Sequence, residues 1–150
     1  MKLSGREDID APIAKVWSVV TDFDALELLA LRRGVEVSRT GVVPAISWKT
    51  AFDLRGKRRK VQIRLQRLER PSHLGVSFTS SPAEGSGLLE LIELGPNRTR
   101  MTVSVEVKPR TLAARLLLQS LKLARGRVNK RFNQRLAQFA RQVALKVAEQ

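Results

Sequence analysis

The stretch Met101-Thr-Val-Ser-Val-Glu-Val-Lys-Pro-Arg-Thr-Leu112 changes its period partway along, and that change decides the fold. Met101, Val103, Val105 and Val107 alternate with Thr102, Ser104 and Glu106, as in a strand with one buried and one wet face. Pro109 has no N–H to give to a ladder and ends the strand. Thr111 stands where a helix cap is needed. Beyond it the apolar spacing becomes helical. Leu117, Leu121, Ala124, Val128, Phe132, Leu136, Phe139 and Val143 step by three or four residues, which predicts a stripe about seven turns long. Gly126 weakens a helix and predicts a bend there.

Upstream, the same two-residue period recurs. Val35 and Val37 start a short strand. Ile46, Trp48, Thr50, Phe52 and Leu54 alternate with Ser47, Lys49, Ala51 and Asp53, and Arg55-Gly56-Lys57 reads as a turn. Val61, Ile63 and Leu65 form the next strand; Leu74, Val76 and Phe78 the one after. Leu88–Leu94 is a strand whose facing stays open, because both sides are apolar and each carries one glutamate. Gly95-Pro96-Asn97 turns the chain into the last strand. Short connections between such segments predict one antiparallel sheet with a wet face. Lys2–Asp10 adds a first strand. Asp10 is the candidate cap of a helix carrying Ile13, Val16, Trp17 and Val20, with Pro12 in its first turn. Asp22 is the candidate cap of a second short helix with Phe23, Leu26, Leu29 and Ala30 on one side. The expected class is α+β, with residues 1–150 as a single domain.

Composition narrows the function. The chain has 150 residues, no cysteine and one histidine. The missing thiols exclude disulfides, zinc–thiolate sites, iron–sulfur clusters and a cysteine nucleophile. One histidine excludes multi-histidine metal clusters, and neither a metal nor a cofactor is expected. No Walker or dinucleotide motif occurs, and Gly85-Ser-Gly87 lacks phosphate-loop spacing. The net charge of +14 is unevenly placed. Residues 1–52 are balanced, residues 53–70 carry eight basic against two acidic groups, and residues 107–150 carry eleven against one. Such segments attract polyanions; the plainer reading is a solvated cationic face. The opening Met-Lys-Leu-Ser-Gly-Arg-Glu-Asp has no apolar core for a secretory signal. No run approaches the roughly 18 apolar residues of a membrane span. A cytoplasmic location is the expectation.

The segment Ile9-Asp-Ala-Pro-Ile-Ala-Lys-Val-Trp17-Ser-Val-Val-Thr-Asp22-Phe23-Asp24-Ala25-Leu26 resembles the opening of the START-like (SRPBCC) superfamily, and its bacterial polyketide cyclase/dehydrase-like group above all. Trp48 in a middle strand, Arg55-Gly56-Lys57 at a turn and Thr99-Arg-Met-Thr-Val103 in the last strand agree with it. The resemblance implies a helix-grip fold: a curved antiparallel sheet of about six or seven strands around a long C-terminal helix, with two short helices after the first strand. It also implies a cavity between sheet and helix that takes lipids, isoprenoids or polyketide-like molecules. The chain departs from the family pattern after Asp24, where relatives often carry an aromatic and a proline and this chain reads Glu27-Leu-Leu-Ala-Leu-Arg-Arg33.

Three readings of function follow. In the first, an apolar ligand lies between Trp48, Thr50, Phe52, Ile63, Leu65, Phe78, Met101 and Val103 on the sheet and Leu117, Leu121, Ala124 and Val128 on the helix, with Glu90 as a polar group inside. The plainer reading is that these side chains fill one another's space as core. The second is a cyclase- or hydrolase-like enzyme of the same fold. It needs converging polar groups, and none is assigned as catalytic: His73 opens a strand at a surface or turn position with no carboxylate placed beside it, and Asp53 is expected to pair across the sheet with Arg64 or a neighbour. The third is a polyanion-binding module, on an anionic membrane or, less favoured for want of stacking aromatics, on nucleic acid. It uses Lys57, Arg58 and Arg59 with the adjoining Lys60 at a turn, and Arg125, Arg127, Lys130, Arg131 and Arg135 on the helix. The oligomeric state stays open.

Overall fold

A computed structural model describes residues 1–150. Strand β1 (Lys2–Ile9) leads into helices α1 (Ile13–Val20) and α2 (Phe23–Arg32). Six strands follow: β2 (Glu36–Val42), β3 (Ala45–Leu54), β4 (Lys57–Glu69), β5 (His73–Ser80), β6 (Ala83–Gly95) and β7 (Arg98–Pro109). The chain closes with α3 (Leu112–Leu123) and α4 (Arg125–Ala148). The seven strands make one antiparallel sheet in the order β1-β7-β6-β5-β4-β3-β2. This is the helix-grip arrangement. No helix is long and apolar enough to cross a membrane.

Local chemistry accounts for the element ends. Asp22 caps α2 by accepting a hydrogen bond from the Ala25 N–H, and Thr111 caps α3 through the Ala114 N–H, each at 3.1 Å. The β3–β4 connection is a two-residue hairpin between Leu54 and Lys57. Arg55 (φ 54°) and Gly56 (φ 74°) both lie in the left-handed region, the turn whose twist matches the flanking strands. One expectation is corrected and another is refined. Asp10 does not cap α1; the cap position is Pro12, which has no side-chain acceptor, and the loop is held instead by the buried Thr99 hydroxyl donating to the Ala11 carbonyl at 2.8 Å. The bend expected in the C-terminal stripe lies at Ala124 (φ −99°, ψ 27°), two residues before Gly126, which sits exposed in the first turn of α4.

The core is in two parts. The larger joins Ile9, Val16, Trp17 and Met101 to Leu136, Ala140, Val143 and Val147 of α4. These four α4 residues recur every three or four positions, so one narrow stripe of the helix meets β1 and β7. Position 5 of β1 is glycine, and any side chain there would run into Asn133 and Leu136. That absence lets α4 lie close on the sheet. The smaller core is Ile46, Trp48 and Leu65 at the other end, with Phe23 of α2 packed against it.

Polar clamps hold each end. Glu27 Oε1 accepts from the Trp48 indole N–H at 2.8 Å and from Arg39 Nε at 2.7 Å, tying α2 to β3 and β2. Trp48 is buried, and Glu27 is the acceptor of its indole N–H. We expect Glu27→Ala to lower unfolding free energy by about 1–3 kcal/mol by orphaning it, and Glu27→Gln, which keeps an acceptor, to lose less; denaturant titration of both measures this. Asp8 on β1 accepts from Arg100 at 2.9 Å and from Arg98 at 3.2 Å on β7. The Arg100 hydrogen bond above all holds its carboxyl below the ordinary 3.8. The stabilisation is therefore complete above that ordinary value and lost as pH falls through the lowered one. Melting temperature followed from pH 7 to pH 2 is expected to fall less steeply in the acid limb for Asp8→Asn than for the native chain.

Candidate functional site

The inward face of the sheet follows from its buried residues and the register. Ile46 and Trp48 on β3, Leu65 on β4, Leu91 on β6 and Met101 on β7 are buried. Residues directly opposite on neighbouring strands share a face. Trp48 pairs with Ile63 and Ile63 with Phe78; Leu65 pairs with Val76, and Leu89 with Leu74 and Val103. All these side chains point inward. Between the two cores, Ile63, Val76, Phe78, Leu89, Val103 and Val105 are only half-buried. They are apolar, they face the helix side, and α4 does not finish covering them.

Both flanks of this groove are apolar. On α4, Val128, Phe132 and Phe139 lie beside the buried stripe and are half-buried. Phe139 also lines a hollow of ≈ 360 Å³ between α4 and α2 with Val19, Leu26, Leu28 and Leu29, which places this flank of α4 toward α2. Gly87 faces inward between Val76 and Val105, and a Cβ there would meet Val76 only at ordinary contact distance. A wider depression of ≈ 650 Å³ over β2–β5 is lined mostly by polar side chains such as Lys49, Lys60, Gln62 and Thr79, chemistry unsuited to an apolar ligand.

At one end of the groove the chemistry changes. Arg59 pairs with Phe52 across the β3–β4 ladder and shares the inward face with Val61, Ile63 and Leu65. It is half-buried, and its Nε is buried without a hydrogen-bond partner. The Thr50 hydroxyl, one row away, is already engaged, donating to the Val61 carbonyl at 2.8 Å. The groove therefore has apolar walls and one cationic donor.

The residues expected to line a cavity are not placed alike. Phe52, Ile63, Phe78 and Val103 border the groove, half-buried on the inward face, and Thr50 sits at its Arg59 end. Trp48 and Leu65 are buried in the smaller core and form an end wall; the Trp48 ring meets Phe23 edge-on at 5.2 Å. Met101 is wholly buried in the larger core and does not line the groove. Leu121, Ala124 and Val128 are half-buried, but Leu117, at the margin of the side of α3 that carries Leu118 and Leu121, is exposed. Glu90 is a correction. It lies between inward-facing Leu89 and Leu91, so it points outward, where its carboxylate stands 3.8 Å from His73 Nε2. Glu69 lies 3.8 Å from His73 Nδ1 as well, and Ser72 Oγ shares a hydrogen bond with Nδ1 at 2.7 Å. The histidine thus has two carboxylate neighbours that cross-strand register supplies and linear sequence does not show. Arg67 donates to Glu69 at 2.8 Å and holds that carboxyl below its ordinary value. The cluster is on the outer face, away from the groove.

The basic residues separate in the same way. Arg58 is neutralised by Glu36 at 2.7 Å and Asp53 at 3.3 Å, so Asp53 pairs with Arg58 and not Arg64. Arg59 faces inward and is no surface group, while Lys57 is exposed at the hairpin. On α4, Arg127, Lys130, Arg131 and Arg135 line one outward depression with Gln134 and Gln138 and no apolar residue. Arg125 is exposed beside them. None of these α4 cations has an acidic partner within 4.0 Å.

The fold is shared widely. The Zhui aromatase/cyclase of Streptomyces sp. R1128 superposes with a TM-score of 0.67 at 16% identity, covering 99% of this chain and 93% of that one. A Thermus thermophilus protein gives 0.67 at 15% identity, over 97% and 99% of the two chains. A START superfamily protein of Mycobacterium smegmatis gives 0.57 at 14% identity, over 87% and 95%. At these identities the likeness is one of fold. No curated protein matches the chain. The family model described as polyketide cyclase/dehydrase and lipid transport matches residues 1–144. With nearly the whole chain matched, the protein belongs to the polyketide cyclase/dehydrase and lipid-transport family.

Proposed function

We propose that the protein binds and carries an apolar small molecule bearing one acidic group, of lipid, isoprenoid or polyketide type, in the groove between the sheet and α4. One observation supports this above the others: the apolar side chains between the two cores are half-buried on a concave face, so apolar surface there stays in contact with water. Covering it is favourable by about 25 cal/mol for each Å² removed from water. Family membership supports the same ligand class. Arg59 supports the acidic group. Its buried Nε lacks a partner, and a carboxylate, sulfonate or phenolate laid along the groove supplies one. The polar groups at the groove, Thr50 and Arg59, make no base–nucleophile pair with each other, which favours carriage over catalysis.

Two fluorescent probes test this: the anionic 1-anilinonaphthalene-8-sulfonate and the neutral N-phenyl-1-naphthylamine. Both are expected to bind with one site per chain. Gly87→Leu, which puts a bulky side chain on the groove floor between Val76 and Val105, is expected to abolish uptake of both while circular dichroism stays native. Arg59→Gln is expected to weaken the anionic probe by about tenfold or more and leave the neutral one within about twofold. Absence of binding by either probe overturns the groove reading. Equal loss of both in Arg59→Gln overturns the acidic-group reading alone.

A further inference from the structure

Helix α3 has apolar residues on two sides, and the fold uses only one. Its twelve residues include no buried one. At 100° per residue, Ala114, Leu118 and Leu121 cluster on one side, half-buried. Leu112, Leu116 and Leu123 form a second stripe on the opposite side and are 72%, 56% and 92% exposed. A leucine stripe in water is no part of this fold's core. Arg115 and Lys122 stand seven residues apart along one border of that stripe. From Val107 to Ala148 the chain has no acidic residue, and no ion pair involves α3 or α4.

We propose that α3 is an interfacial helix that seats on an anionic lipid bilayer. Leu112, Leu116 and Leu123 enter the boundary between headgroups and acyl chains, and Arg115 and Lys122 pair with lipid phosphates. An apolar stripe bordered by cations is the composition of a helix lying in the membrane plane. Charge complementarity selects this occupant. A second copy of the chain would bring one acid-free cationic segment against another, and a nucleic acid would leave the three leucines without an apolar partner. The fold places α3 at the groove's cationic end. The β3–β4 hairpin, the β5–β6 turn and the β7–α3 junction all lie at one end of the sheet. Arg110 fastens α3's entry to that end through its N–H on the Pro82 carbonyl and its guanidinium on the Ser80 carbonyl, each at 2.8 Å. Arg59 belongs to the same end, and the hairpin tip there adds exposed Leu54 and Lys57. The docking surface does not depend on what fills the groove.

Co-sedimentation with vesicles tests the proposal. One set is pure phosphatidylcholine, the other equimolar phosphatidylcholine and phosphatidylglycerol. The native chain is expected to sediment with the second set only, less so as salt rises. Leu116→Gln with Leu123→Gln keeps helix propensity and charge and is expected to weaken binding by about tenfold or more. Arg115→Glu with Lys122→Glu is expected to abolish it. Uptake of N-phenyl-1-naphthylamine in solution is expected to stay unchanged in both variants, which separates a docking failure from a groove failure. No sedimentation at low salt overturns the proposal. Native-strength binding by the leucine variant also overturns it, leaving only adsorption by charge. So does a dimer in analytical ultracentrifugation that the leucine variant dissolves, or duplex DNA binding as tight as vesicle binding and indifferent to the leucines.

Discussion

One helix cannot cover seven strands, and the rest of the molecule follows from that mismatch. Strands stand about 4.8 Å apart, so the sheet is about 29 Å wide. A helix with its side chains is about 10 Å across. Helix α4 takes the β1–β7 end, where Gly5 allows close approach. Helix α2 takes the β2–β3 end, where Phe23 meets the Trp48 ring. The strip between them keeps apolar side chains and has no protein partner to finish covering it. A groove is thus the geometric remainder of the architecture. Its width is set by how far apart the two coverings are held.

Those coverings are held by different forces. At the α4 end the contact is mostly dispersion and burial, through Leu136, Ala140, Val143 and Val147. At the α2 end two carboxylates of that helix, Asp24 and Glu27, add polar contacts to the Phe23–Trp48 packing. Glu27 serves both Trp48 and Arg39, and its side chain is 23% exposed, so its charge is partly desolvated and its bonds correspondingly stronger. This glutamate puts a polar clamp at the chain's end wall.

Much of the architecture was legible in the sequence because it rests on periodicity and local chemistry. Strand positions at Trp48–Phe52 and Ile63–Leu65, and caps at Asp22 and Thr111, need no knowledge of distant residues. Three features were not legible, for distinct reasons. The side on which Glu90 lies is set by pairing with His73 and Thr102, and both faces of its segment are apolar, so alternation could not choose. Arg59 continues the inward alternation of Val61 and Ile63, a signal present in the sequence but masked by its place in a basic run. The break at Ala124 leaves the apolar spacing intact across it, so Leu117 fits the stripe on paper and faces water in three dimensions. Alanine is a strong helix former, so the one local sign of the bend is Gly126, two residues on.

The sheet is open at both margins, and this bears on how the molecule behaves in a crowd. A marginal strand presents unpaired N–H and C=O groups to any other chain and so invites fibrillar addition. The β1 margin lies alongside α4. The β2 margin is guarded electrostatically: Glu36 and Arg39 are held by ion pairs to Arg58, Asp24 and Glu27, and Gly41 (φ 82°) interrupts the extended run. The charge of +14 adds a longer-range repulsion between molecules. Both defences weaken with ionic strength. Colloidal stability in this protein is thus a property of its counterion atmosphere as much as of its fold.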